Sequence, residues 1–197
     1  KSELGEAVLC DLDLSTGRAR FKVELTRPLS PGPGKALPPQ AFPLELSVLG
    51  LHSVYNSMVA VITGLLCGVP VPSIQRALKK FKGVERRFEL IFEHEFKVID
   101  DHFANSGNIN VTLETLKFMD YRRLHIVYAI RGGRGVTVNR ESAEALAGWA
   151  PALALTEIIA TSSRSHVDEK DTVTDKERSV FFEVMRKAGI KVLHFDE

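Results

Sequence analysis

The chain has 197 residues, 44% of them hydrophobic and 26% charged, enough to bury a core in one large or two small soluble globular domains. Twenty-six basic against 25 acidic side chains leave a net charge of +1, which argues against a delocalised electrostatic role on nucleic acid or a membrane surface, so any charge that matters must be local. No apolar run reaches the ~18 residues of a membrane span and the N-terminus has no signal-peptide pattern, so a cytoplasmic protein is expected, with no nucleic-acid or membrane partner.

In chain order, "EAVLCDLDLSTGRARFKVELTR" alternates apolar and polar residues around Ser15-Thr16-Gly17, the pattern of a β-hairpin with Phe21, Val23 and Leu25 on one side. The proline-rich stretch from Pro28 to Pro43 is expected to be an extended surface loop without regular structure. Helical spacing begins at Leu51, where Val54, Met58, Val61, Ile62, Leu65 and Leu66 form one apolar stripe of a buried helix, closed by "CGVPVP". Ser73 is expected to cap a second helix with Ile74, Ala77, Leu78 and Phe81 inward and Lys79, Lys80 and Lys82 outward, ended by Gly83.

Beyond Gly83 the pattern predicts a hairpin, 88–92 with 96–99, and a helix from Ile109 to Met119. It then predicts strands over 124–130, 157–163 and 190–195, with helices Arg140 to Trp149 and Asp175 to Ala188 between them. Apolar strands alternating with helices imply an α/β, mostly parallel, doubly wound sheet, with a domain boundary near Gly83. The two cysteines, Cys10 and Cys67, sit among apolar residues without metal-ligand spacing and read as buried free thiols.

In such a sheet, ligands bind where strands end and helices begin. Three exits carry polar clusters: "IDDHFANSGN", "IRGGRGVTVNR" and "TSSRSHVDEKD". A carboxylate at Asp100 or Asp101 could accept hydrogen bonds from a ribose diol or an amine, or could cap a helix. The glycines of "RGGRG" let backbone approach an anion that the arginines could grip, although the same letters describe a plain turn. His166, Asp168 and Glu169 read as a solvated acidic loop rather than as metal ligands. His52 and Asn56, four apart, share one face of the first helix.

Taken in order, "LGLHSVYNSMVAV" (49–61), "FKGVERRFE" (81–89), "VIDDHFANSGNINVTLETL" (98–116) and "GGRGVTVNR" (132–140) resemble the Mur ligase family, over about residues 45 to 165. These are ATP-dependent ligases that join an amine to a carboxylate through an acyl phosphate. The resemblance implies that residues 1–82 are the later part of the ATP-binding central domain and 83–197 most of a Rossmann-like C-terminal domain, closing on each other around Gly83. The phosphate-binding loop, the magnesium-holding glutamate and the family's lysine carbamate would lie before Lys1 and a further helix and strand after Glu197, so this chain alone is expected to be inactive.

Carried over by position, His52 and Asn56 fall at the adenine, Arg87 at the linker arginine that reaches ATP, and Asp101 at the carboxylate on the ribose hydroxyls. The family's usual His-Asn pair reads His52-Ser53 here. Asn105, Arg134, Arg140, Ser162 and Arg164 fall where the carboxylate and amine substrates are held. ATP and magnesium are the implied cofactors, and no catalytic residue or metal ligand is assigned within the chain. The alternative is a nucleotide-binding or scaffolding module that keeps the fold without catalysis.

Overall fold

In the computed structural model, residues 6–32, 35–162, 165 and 167–196 are described. They form two compact units, residues 1–102 with 118–120, and residues 103–117 with 121–197. The units part at His102 and Phe103, past the hairpin that follows Gly83, near which the sequence alone places a boundary.

The first unit is built on an antiparallel sheet. β1 (Ala7–Asp13) and β2 (Arg18–Leu25) form the expected hairpin, closed by the Gly17 amide donating to the Leu14 carbonyl at 2.7 Å. Phe21, Val23 and Leu25 are buried on one face, as their alternation requires. The proline-rich stretch departs from expectation. It holds a short pair, β3 (Leu29–Gly32) with β4 (Lys35–Leu37), and the first residues of a ten-residue strand, β5 (Gln40–Leu49), that pairs with β2.

Phe42, Leu44 and Leu46 on β5 alternate into the core, and that burial outweighs the local aversion of proline for sheets. Pro43 is tolerated because its position faces away from β2: its carbonyl turns outward to accept from Gln75 Nε2 at 2.8 Å, so the missing N–H breaks no ladder bond.

Two helices complete this core. α1 (Leu51–Leu66) buries Val54, Ser57, Val61 and Leu65, while Tyr55, Val59 and Leu66 are exposed, so the helix is amphipathic rather than buried all round. α2 (Val71–Lys80) starts two residues before the expected cap, with Pro70 at its N-cap and Pro72 in its first turn, where proline's fixed φ suits a helix. Ser73 accepts from Arg76 instead of capping. Ile74 is buried and Leu78 partly so, but Ala77 and Phe81 are exposed because the helix lies along the flank of β5 on a narrow stripe. Cys10 is half-buried and Cys67 exposed, which corrects the expectation that both are buried: Cys67 is the C-cap of α1, at the surface.

The unit ends in the expected hairpin, β6 (Glu89–Glu93) with β7 (Lys97–Asp100). Two strands alone are marginal in water. Here the Arg18 guanidinium grips both Glu93 oxygens, at 2.7 and 3.2 Å, and Lys97 donates to the Thr16 carbonyl at 3.2 Å, tying the hairpin to the β1–β2 turn.

The second unit is the expected α/β layer. α3 (Ser106–Lys117) leads to β8 (Val127–Ala129), α4 (Gly135–Trp149), β9 (Glu157–Thr161), α5 (Asp175–Lys187) and β10 (Lys191–Phe195). The strands are parallel in the order β10-β9-β8, with Val127, Ile159 and Leu193 in one row across the sheet. Helix α4 packs on both α3 and α5. Tyr128 of β8 stacks on Phe181 of α5 with ring centroids 5.1 Å apart, and Ile126, Ile130, Ile158, Ala160, Leu146, Val184 and Met185 are buried in the same unit. No helix among the described residues is long and apolar enough to cross a membrane.

Candidate functional site

The chain turns from β5 into α1 at Gly50, whose φ of 95° belongs to the left-handed region that glycine adopts without strain. The same glycine leaves room for its neighbours: a β-carbon there would stand 2.6 Å from His52 Cε1 and 3.3 Å from Phe88 Cδ1. His52 thus lies in the first turn of α1, with the edge of Phe88 6.3 Å away between ring centroids. Asn56, one turn on, is exposed on the same face. Ser53 is different. Its hydroxyl donates to the Leu49 carbonyl at 2.7 Å and so ties the helix start to the end of β5.

The β6–β7 hairpin carries two further charged groups within electrostatic range of the imidazole. Arg87 precedes β6 and Asp101 follows β7, at the open end where Glu89 pairs with Asp100. Burial holds the His52 pKa below the ordinary histidine range, while the Asp101 carboxylate pulls it up and the Arg87 guanidinium pushes it down. Both charges therefore stand within electrostatic reach of one ring. His52, Arg87 and Asp101 all belong to the first unit, with both charges within electrostatic range of the imidazole and Asn56 one helical turn on from it. A largely neutral imidazole, a carboxylate and a guanidinium beside a helix N-terminus can accept from a diol and pair with a phosphate.

The residues expected at the substrates all fall in the second unit, and most have partners within the chain. Asn105 Oδ1 accepts the Asn108 amide at 3.0 Å, which caps α3. Arg140 pairs with Glu183 at 3.5 Å, and Arg134 is exposed beside the start of α4. Ser162, 2% exposed at the carboxyl end of β9, lies 2.7 Å from His194 Nε2. Asp196 approaches that same nitrogen at 3.9 Å, so the three do not form the relay in which a carboxylate orients the other ring nitrogen. Arg164 and His166 lie outside the described residues.

The "RGGRG" loop does receive an anion, and the anion is the chain's own. Glu177, 3% exposed, accepts through Oε1 from the amides of Arg134 (3.1 Å) and Gly135 (2.8 Å). Through Oε2 it accepts from the amide (3.0 Å) and hydroxyl (2.8 Å) of Thr174, the N-cap of α5. One carboxylate thereby caps α4 and α5 together. Burial opposes its charge, but these donors outweigh the penalty and hold its pKa below the ordinary glutamate range. The Thr174-x-x-Glu177 spacing is a capping-box signal legible in sequence, but nothing local announces that the second oxygen reaches α4.

A groove of about 540 Å³ lies elsewhere on the first unit, beside β2, β5 and α2. Its charges pair among themselves, Lys22 with Asp11 at 2.7 Å and Lys79 with Glu45 at 2.8 Å, and it holds none of the expected residues. It is not the candidate site.

No protein-family model matches the chain. The UDP-N-acetylmuramate--L-alanine ligase of Persephonella marina is 34% identical over 119 residues, which cover 60% of this chain and 23% of that protein. The fold is shared with two solved structures at a TM-score of 0.67. UDP-N-acetylmuramate-alanine ligase from Thermotoga maritima is 21% identical and matches 99% of this chain and 38% of that one. MurF from Acinetobacter baumannii is 20% identical and matches 98% of this chain and 36% of that one. The chain spans about a quarter of the length of the curated relative it matches. The chain is thus similar in sequence to part of a UDP-N-acetylmuramate--L-alanine ligase and shares its fold with part of two solved ligases of the Mur type.

Proposed function

We propose that this chain supplies the ribose- and phosphate-facing side of an ADP-forming ligase that joins an amine to a carboxylate. The observation that supports this reading is that Arg87 and Asp101, at the open end of the β6–β7 hairpin, lie within electrostatic range of His52 in the first turn of α1, on a chain similar to proteins named as ligases of UDP-N-acetylmuramate and alanine. Asp101 accepts from the ribose hydroxyls, Arg87 pairs with the phosphates, and His52 and Asn56 line the adenine side.

In the reaction, a substrate carboxylate oxygen attacks the terminal phosphorus of ATP and ADP departs. The amine then attacks the acyl carbon, phosphate leaves and the amine nitrogen gives up a proton. No side chain of this segment need act as a nucleophile; its groups position charge where it develops. Asp101 is assigned to the sugar, and the magnesium that accompanies ATP is given no ligand among the described residues. The substrates are a small carboxylate and an amine, held in part by Arg134 and by residues at the carboxyl ends of β8 and β9.

The test is ADP release by the full-length gene product. Asp101→Ala is expected to raise the KM for ATP roughly tenfold to a hundredfold, the range expected for lost hydrogen bonds to a charged group, and Arg87→Ala to lower kcat/KM by a similar factor. ATP binding without ADP release under any amine and carboxylate would overturn the ligase reading in favour of a non-catalytic nucleotide-binding module.

A further inference from the structure

Two bulky residues of the turn before β6 have left-handed backbones, Arg86 at φ 58° and Phe88 at φ 50°. Side chains with a β-carbon rarely adopt that region, and where the fold imposes it the strain marks something the fold holds in place. Arg87 stands between the two. Its amide donates to the Val84 carbonyl at 3.2 Å, while Arg86 donates its amide to Glu89 Oε2 at 2.9 Å and accepts the His102 amide on its carbonyl at 3.0 Å. Arg86 Nε also lies 3.8 Å from Asp100. These bonds close the turn onto the exit of β7.

The anchor of the turn is apolar. Phe88 is 2% exposed in a stretch whose neighbours from Phe81 to Arg87 are all exposed, and its ring lies against the Gly50 backbone and edge-on to His52. A right-handed or extended residue at 88 would send the ring or the chain elsewhere.

We propose that Phe88 is a positioning residue: its ring, seated on Gly50 and His52 with its backbone held left-handed, directs Arg87 to the imidazole and hence to the side of Asp101. The value of this placement for ATP rests on the function proposed above, whereas the placement itself does not. Phe88 touches no substrate in this account and acts through Arg87.

His52 supplies a readout that needs no ligand, because Arg87 and Asp101 act on its titration with opposite signs. In the full chain, the His52 Cε1 proton is followed against pH by NMR for the wild type, Arg87→Ala, Phe88→Leu and the double variant. Removing the guanidinium is expected to raise the His52 pKa in the wild-type background and to leave it unchanged in Phe88→Leu. Phe88→Tyr, which keeps the ring, should restore the full step. If Phe88→Leu does not fold, Phe88→Met, unbranched and adaptable, runs the same cycle. An Arg87→Ala step of equal size in both backgrounds would overturn the proposal, whatever ATP does.

The KM for ATP of the full-length gene product then separates the two readings. Phe88→Leu should raise it in parallel with Arg87→Ala. Coupling at His52, with a KM indifferent to Arg87, would retain the positioning role and remove the nucleotide from it.

Discussion

Glu177→Ala is expected to lower the stability of the second unit by about 3 kcal/mol or more at pH 7, read as a fall in the urea midpoint at unchanged slope. The deletion strands four donors at once: the amides of Arg134 and Gly135 that open α4, and the amide and hydroxyl of Thr174 that open α5. Burial leaves little room for water to replace the carboxylate. Glu177→Gln should lose less, because its oxygen can still serve α4 while its NH2 group faces the donors of Thr174.

Acid offers an independent check with a fixed sign. The folded pKa of Glu177 lies below its unfolded value of about 4.3. Its contribution is therefore complete above the unfolded value and lost as the pH falls through the folded one. Wild type should lose this component on acidification, and Glu177→Gln should not. Equal acid sensitivity in both would mean that the carboxylate does not carry the link between the helices.

Gly132→Ala is the second large effect. A methyl at Gly132 would overlap the backbone carbonyls of Asp171 and Thr172, and neither is the movable end of a side chain. The turn after β8 can pass this close to the segment ahead of α5 only because position 132 has no β-carbon. Either strand exit must shift, undoing the Glu177 caps, at a cost of about 3 kcal/mol or more. Gly148→Ala makes a matched control: it lies in α4 with open space where its β-carbon would go, so it is expected to be neutral or stabilising. A loss as large at 148 as at 132 would refute the close-approach argument.

The parts of the fold legible in the sequence were those whose burial is periodic. Phe21, Val23 and Leu25 announce β2, Val54, Val61 and Leu65 announce α1, and the apolar strands 157–161 and 191–195 announce the parallel sheet. β5 was hidden by its own neighbourhood. The prolines of 28–43 spoke for a loop, although Phe42-x-Leu44-x-Leu46 carries a strand's alternation, because no local rule tells that Pro43 points its nitrogen away from the ladder.

The candidate site divides the same way. Arg87 and Asp101 were named from motif order, and the hairpin that joins them is a local structure legible in the sequence. The roles of Phe88 and Glu177 were not legible, because each depends on a partner brought close only by the tertiary fold, Gly50 in one case and Gly135 in the other. Asn105, expected at a substrate, has a helix-capping partner three residues on, a competing use that an Asn before a helix always offers.

The most direct measurement is a crystal structure of the full-length gene product grown with a non-hydrolysable ATP analogue. The account requires the ribose hydroxyls within hydrogen-bonding distance of the Asp101 carboxylate, Arg87 on the phosphates, and His52 and Asn56 beside the base. A nucleotide seated elsewhere, with Asp101 turned away from the sugar and Arg87 in solvent, would contradict it.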